Sequence, residues 1–109
     1  SFDNVTDAVS STCAIQQSFA SFNRSSAEKL EVRIGMDCGE PVQESNDLFG
    51  STVQMAARIC AKAGANEILI SSAIRNELPR RFSLIEMGSH SLKGFPEPIP
   101  LYGVEWQRS

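Results

Sequence analysis

The chain has 109 residues, of which 41% are hydrophobic and 21% charged, so it is long enough for one compact core and too short for two. Its formal net charge of -3 and its scattered lysines and arginines argue against nucleic-acid binding, because phosphate backbones require a basic surface. No apolar run approaches the length of a membrane-spanning helix, so the sequence predicts a soluble, single-domain protein.

Three cysteines, Cys13, Cys38 and Cys60, lack the paired spacing of zinc ligands and stand among apolar neighbours. We interpret them as reduced, buried thiols, which are typical of a cytoplasmic protein. The chain opens without a methionine, a basic flank or an apolar signal core, which we interpret as the start of a fragment.

The first part of the chain predicts a helix followed by two strands. Apolar residues three or four apart predict a helix over residues 5–22, with Asp3 or Asn4 as its cap. Alternating apolar and polar residues predict a strand over residues 30–36. A tight turn is expected next, after which residues 41–44 return as a short edge strand of a hairpin.

A second helix is predicted over residues 52–63, after a polar loop and before Gly64, a residue that is typical of helix C-termini. Small residues along this helix let another element approach closely, and they are Ala56, Ala57, Cys60 and Ala63. We therefore expect the helix to be buried on most sides.

The last part of the chain predicts a buried strand, a short helix and two further strands. Ser71 or Ser72 caps the short helix, and Pro79 ends it. The order of all elements indicates an α+β fold, a mixed sheet with packed helices. These last elements cover residues 68–70, 71–78, 82–87 and 101–106, with a linker rich in Pro and Gly over 93–98.

Short sequence motifs at four places in the chain resemble those of a known family. Residues 32–40 read Val-Arg-Ile-Gly-Met-Asp-Cys-Gly-Glu, residues 49–59 read Phe-Gly-Ser-Thr-Val-Gln-Met-Ala-Ala-Arg-Ile, residues 67–71 read Glu-Ile-Leu-Ile-Ser, and residues 92–95 read Leu-Lys-Gly-Phe. In this order and spacing they resemble a class III adenylate or guanylate cyclase domain. The resemblance spans residues 1–109 as one N-terminally incomplete domain. It implies the nucleotidyl cyclase fold in partial form, an α+β sandwich with a ferredoxin-like core.

Gln54 and Arg58 are four residues apart on the second predicted helix, so they share one face. Arginine is always charged and presents a fork of donors, which suits the charge that builds on a phosphoryl group. The resemblance implies that Arg58 stabilises the transition state of cyclization. It also implies that Gln54 stands where the family has an asparagine that holds the ribose. Without the resemblance, a solvated arginine and a surface amide are the simpler alternatives.

Three further residues bear on the predicted site. Asp47 stands where the resemblance implies a residue that reads the purine edge; the alternative is a turn with a negative charge near a helix N-terminus. Lys93 lies in the loop where the family often has a lysine near the triphosphate. His90, in an expected turn after Gly88, has no Ser, Cys or carboxylate pattern around it and is interpreted as structural.

The resemblance implies two divalent metals, Mg²⁺ or Mn²⁺, which the family binds through aspartates upstream of Ser1. We assign no metal ligand in this chain, because Asp3 and Asp7 suit helix capping better than coordination. Asp37 could pair with Glu40 as a general acid and base, although the family has no catalytic residue there. The isolated chain is therefore expected to bind no metal and to lack cyclase activity.

The resemblance implies conversion of ATP or GTP to a 3′,5′-cyclic nucleotide and pyrophosphate for intracellular signalling. The family's sites form at the interface of a head-to-tail homodimer, so a dimer is expected. The alternative is a cyclase-like regulatory or dimerisation module without catalysis, which Gln54 and the single Lys93 favour. A third interpretation, an unrelated α+β interaction domain, fits four ordered motifs poorly.

Overall fold

A computed structural model describes residues 2–38 and 50–107 of the chain. Its strands form one mixed sheet in the order β1-β2-β4-β3, which confirms the predicted sheet with packed helices. Within these ranges the elements are α1 (Phe2–Ser25), β1 (Ile34–Met36), α2 (Gly50–Lys62), β2 (Ile68–Ser71), α3 (Ser72–Glu77), β3 (Leu84–His90) and β4 (Ile99–Val104).

The register of the sheet sets three residues in one row. Strands β1 and β2 are parallel, whereas β4 runs antiparallel to both β2 and β3. Leu69 of β2 is opposite Gly103 of β4, and Ile85 of β3 is opposite the same Gly103. Because directly opposite residues point to the same side of a sheet, Leu69, Gly103 and Ile85 share one face.

Helices cover both faces of the sheet, so its residues alternate between two apolar layers. The first layer lies between the sheet and helices α1 and α3. Its buried members are Val5, Val9, Ile68, Ile70, Ile74, Val104 and Trp106. The second layer lies between the sheet, α2 and the loop before β4. Its buried members are Ile59, Ala63, Leu69, Leu92 and Leu101.

Strand β1 is shorter than the predicted strand over residues 30–36, because side chains bind the backbone ahead of it. The Val32 N–H donates to Oδ1 of Asn66 at 3.3 Å, and the Val32 carbonyl accepts from Nε2 of Gln16 at 2.9 Å. Sheet pairing with β2 begins only at Ile34. These side chains satisfy backbone groups that strand pairing would otherwise have to satisfy.

Strand β3 begins two residues after and ends three residues beyond the predicted strand over residues 82–87, and its end corrects our placement of His90. Gly88 has a φ of 79° where the register between β3 and β4 shifts, a conformation that glycine adopts without strain. The strand continues past this bulge, so His90 lies in β3 and not in a turn. Strand β4 begins at Ile99 and ends at Val104, so both of its ends lie two residues before the predicted ones.

Helix α1 extends beyond the predicted residues 5–22 at both ends. Asp3 and Asn4 therefore lie inside the helix and are not its caps, contrary to our expectation. Helix α3 begins as predicted, because the Ser71 hydroxyl accepts a hydrogen bond from the backbone N–H of Ile74.

The predicted hairpin strand over residues 41–44 lies outside the described residues. Within residues 2–38 and 50–107, no helix combines the length and the apolar character that crossing a membrane requires.

Candidate functional site

Helix α2 lies very close to strand β1 because Gly35 has no side chain. A Cβ atom on Gly35 would lie 2.3 Å from the backbone nitrogen of Cys60 and 2.9 Å from the carbonyl oxygen of Ala56. Both helix residues are small, as the predicted close approach requires. Sγ of Cys60 also donates to the carbonyl of Arg33 at 3.5 Å. The backbone of β1 therefore fixes the position of the whole helix.

The outer face of α2 carries the two residues predicted to be catalytic. Gln54 and Arg58 are both exposed and lie one helical turn apart. Ala57 and Ala61 are exposed beside them, so the expectation that α2 is buried on most sides is wrong. The reason is that only one side of the helix, which includes the fully buried Ile59, meets the sheet. Both polar side chains are therefore accessible to a ligand.

The loop that carries Lys93 is anchored beside α2 by apolar side chains. Leu92 is buried in the same cluster as Ile59, and Phe95 packs against this cluster. The Phe95 N–H donates to the Leu92 carbonyl at 3.0 Å, and Gly94 has a φ of 90° in the tight turn between them. Lys93 is thus exposed in a turn that packs on the α2 side of the sheet.

Three of the four predicted site residues therefore lie on one side of the sheet. Arg58 and Lys93 offer cationic donors, and Gln54 offers an amide, which are groups that bind phosphate oxygens and sugar hydroxyls. Asp47, the fourth, lies outside the described residues. Long-range packing through the second apolar layer brings the loop and the helix together.

The described residues do not fit the Mg²⁺ or Mn²⁺ that the resemblance implies. Across residues 2–38 and 50–107, no group of three or more His, Cys, Asp or Glu side chains is arranged to hold a metal ion. Oδ1 of Asp37 accepts a hydrogen bond from the Ser71 hydroxyl at 2.6 Å, and Glu40 lies outside the described residues. We therefore assign no catalytic step to a metal held by these residues.

The end of β1 is bound to α3 by two side-chain contacts. The Ser71 hydroxyl that donates to Asp37 also accepts from the N–H of Ile74 at 3.4 Å, so one oxygen caps the helix and joins the strand. Sγ of Cys38 lies 3.7 Å from Oε2 of Glu77. Burial first, and then the Glu77 carboxylate, raise the pKa of the Cys38 thiol.

The remaining thiols and the histidine have structural surroundings. All three cysteines are free, but they are partly exposed and not buried as expected. Burial raises the pKa of the Cys13 thiol, which disfavours the reactive thiolate. Nε2 of His90 lies 2.8 Å from the carbonyl of Met87 across the bulge. This contact agrees with a structural role for the histidine.

Sequence reasoning missed a hydrogen-bonded junction between α2 and β2. Asn66 has a φ of 63°, and its carbonyl accepts from Nε1 of Trp106 at 2.8 Å. The carbonyl of the next residue, Glu67, accepts from Nε2 of the buried Gln16 at 3.4 Å. Asparagine tolerates the left-handed conformation well, so Asn66 is the sequence feature that could have indicated this junction. The junction joins α1, β2 and the end of β4.

Comparison with sequences of known proteins identifies relatives over nearly the whole chain. The family described as the adenylate and guanylate cyclase catalytic domain matches residues 1–105. The Rhizobium meliloti (strain 1021) protein named "Putative adenylate cyclase 3" is 31% identical over 105 residues, which are 93% of this chain and 18% of that protein. The chain thus spans less than a fifth of the length of this curated relative.

Solved structures show the same fold. A cyclase structure from Silicibacter pomeroyi, described as an adenylate/guanylate cyclase/hydrolase, has a TM-score of 0.76 at 23% identity and covers 92% of this chain and 62% of that one. The guanylate cyclase domain of RhGC from Catenaria anguillulae, solved in complex with GTP, has a TM-score of 0.76 at 23% identity. The match covers 94% of this chain and 60% of that one. Together with the family match, this fold shows that the chain belongs to the adenylate and guanylate cyclase catalytic domain family.

Proposed function

We propose that the protein is part of a nucleotidyl cyclase that converts ATP or GTP to a 3′,5′-cyclic nucleotide and pyrophosphate for intracellular signalling. Membership of the cyclase family supports this proposal. The observation that carries it is the pair of exposed polar residues, Gln54 and Arg58, on a helix packed beside the turn that holds Lys93.

In this reaction the ribose 3′ oxygen attacks the α-phosphorus and loses its proton. The bond from that phosphorus to the oxygen that bridges to the β-phosphate breaks, and pyrophosphate leaves with the bonding electrons. Negative charge is spread over the phosphoryl oxygens in the transition state. The guanidinium of Arg58 donates to these oxygens, and one such donor is typically worth about 10²- to 10³-fold in rate.

The other proposed site residues bind and orient the nucleotide. The amide of Gln54 holds the ribose, Lys93 binds the triphosphate, and Asp47 accepts from an amino group of the purine. We propose that the working site forms at a head-to-tail homodimer interface. We also propose that the Mg²⁺ or Mn²⁺ ions are bound by carboxylates other than those of the described residues. Free thiols support a cytoplasmic location, where the reducing environment preserves them.

The test is cyclic-nucleotide formation by the natural full-length protein, supplied with ATP or with GTP and Mn²⁺. Arg58→Ala is compared with the wild type and with Arg24→Ala, which removes the same charge from an exposed position on α1. We expect Arg58→Ala to lose about a hundredfold or more in kcat and Arg24→Ala to retain it. Equal losses in both variants would argue against a role for Arg58 in the chemistry.

A second candidate function is a regulatory or dimerisation module that binds a nucleotide without turnover. Gln54 favours it, because glutamine has one methylene more than the asparagine that the resemblance implies at this position. A displacement of about 1 Å is enough to misplace a reacting group. Nucleotide binding measured by calorimetry, with no cyclic product from the folded full-length protein, would favour this second function.

A further inference from the structure

Strand β1 carries a glycine at a position where the backbone conformation does not require one. Gly35 pairs with Leu69 of β2, and it is not among the described glycines with a positive φ, which are Gly88 and Gly94. Glycine weakens a strand, and within a strand it often marks the close approach of another backbone. The requirement for glycine at this position therefore comes from what lies over it and not from its own conformation.

The backbone of α2 lies directly over Gly35. Of the three heavy atoms nearest to a Cβ atom placed on Gly35, two belong to the backbone of Cys60 and one to that of Ala56. The neighbours of Gly35 in the strand, Ile34 and Met36, pack instead against the first apolar layer. Side chains that separate a helix from a sheet can change rotamer, whereas backbone atoms in contact cannot. Strand β1 therefore fixes the height of α2 above the sheet at this point.

Arg58 lies in the turn of α2 that makes this contact. It stands between Ala56 and Cys60, two residues from each. Because residues two apart project to nearly opposite sides of a helix, the side chain of Arg58 points away from β1, and it is exposed. A shift of the whole helix moves the guanidinium by the same distance. Since catalytic groups act within about 0.5 Å of their productive position, the contact at Gly35 is placed to decide where Arg58 acts.

We propose that Gly35 is a positioning residue for Arg58, because the lack of a side chain at Gly35 sets the height of α2 and thereby the position of the guanidinium. This inference rests on the proposed cyclase function and extends it to a residue that touches no substrate. A Cβ atom on Gly35 would lie 2.3 Å from the nitrogen of Cys60, whereas ordinary contact begins at 3.4 Å. Gly35→Ala therefore displaces α2 by about 1 Å, and a misplacement of this size costs about a hundredfold in rate.

The test is a double-mutant cycle on kcat for cyclic-nucleotide formation by the natural full-length protein, with saturating ATP or GTP and Mn²⁺. Each variant is assayed at a temperature at which circular dichroism shows that it is folded. Gly35→Ala should lower kcat about ten- to a hundredfold in the wild-type background. In the Arg58→Ala background the same substitution should lower kcat less than about threefold, because the group that it displaces is already absent.

Two variants separate positioning from a loss of stability. Ile59→Val removes a methyl group from the buried side of α2, so it should lower Tm. It should nevertheless leave kcat within about twofold of the wild type, because the backbone contact still sets the height of the helix. Gly103→Ala makes the same substitution at a place without a close contact, and it should also retain kcat. If Gly35→Ala does not fold, kcat of Ile59→Val decides the question.

The outcomes distinguish this inference from the function on which it rests. Wild-type turnover with equal losses from Gly35→Ala in both backgrounds would overturn the positioning role and leave the cyclase function standing. A loss of about tenfold in kcat of Ile59→Val would do the same, because side-chain packing would then set the height of α2. No turnover by the folded wild-type protein, or turnover that Arg58→Ala leaves unchanged, would overturn the proposed function, and the inference would fall with it.

Discussion

The contact between Gly35 and α2 makes Gly35→Ala the most informative stability variant. Its new Cβ atom would lie 2.3 Å from the nitrogen and 2.6 Å from the Cα of Cys60, and 2.9 Å from the carbonyl oxygen of Ala56. All three are backbone atoms of a helix, so no side-chain rotation relieves the contact. Ordinary contact begins at 3.4 Å, and α2 must therefore move away from β1 by about 1 Å.

The cost follows from this displacement. Overpacking of a closely packed contact typically costs about 1–3 kcal/mol, and a contact between backbone atoms belongs at the upper end, near 3 kcal/mol. Alanine also lowers the conformational entropy of the unfolded chain, which stabilises the folded protein by about 0.4–1 kcal/mol. The net loss of about 2 kcal/mol in the free energy of unfolding lowers Tm by about 10 °C in a domain of this size.

Thermal unfolding followed by far-UV circular dichroism measures this loss. Gly103→Ala is the matched control, because it makes the same substitution in the same sheet and its new Cβ atom would meet nothing closer than 3.5 Å. We expect Tm to change by less than about 4 °C in the control. A Gly35→Ala protein as stable as Gly103→Ala would refute the close contact between β1 and α2.

Two further predictions concern the end of β1. Ser71→Ala removes the cap of α3 and the hydrogen bond to Asp37, so it should cost about 1–2 kcal/mol in urea unfolding. The adjacent Ser72→Ala should lower the free energy of unfolding by less than half of that amount. Equal urea midpoints for the two variants would contradict the capping role of Ser71. Glu77→Gln removes a charge that raises the pKa of Cys38, so Cys38 should be alkylated faster at about pH 8. If the ratio of the Cys38 alkylation rate to the Cys13 alkylation rate is the same in Glu77→Gln as in the wild type, this contact is contradicted.

The elements that the sequence predicted best are those whose signals are local. The Ser71 cap, the helix before Gly64 and the apolar strand from Ile68 were all found, because capping and periodicity act over a few residues. The shared face of Gln54 and Arg58 followed in the same way from their spacing on one helix, whereas their exposure did not follow, because α2 was expected to be buried on most sides.

The features that the sequence could not predict depend on contacts between distant residues. Residues 30–33 alternate like a strand, yet Asn66 and Gln16 bind the backbone of Val32 from two other parts of the chain. The place of Lys93 beside α2 depends on Leu92, which is buried in a cluster that only the folded sheet creates. A local pattern contains no information about such partners.

The central claim, that α2 presents a catalytic arginine of a nucleotidyl cyclase, is tested most directly by one measurement. This is the rate of cyclic-nucleotide formation by the natural full-length protein and by its Arg58→Ala variant at saturating ATP or GTP. We predict turnover by the wild type and a loss of about a hundredfold or more in the variant. Turnover that persists in Arg58→Ala, or no turnover by the folded wild-type protein with either nucleotide, would contradict the claim.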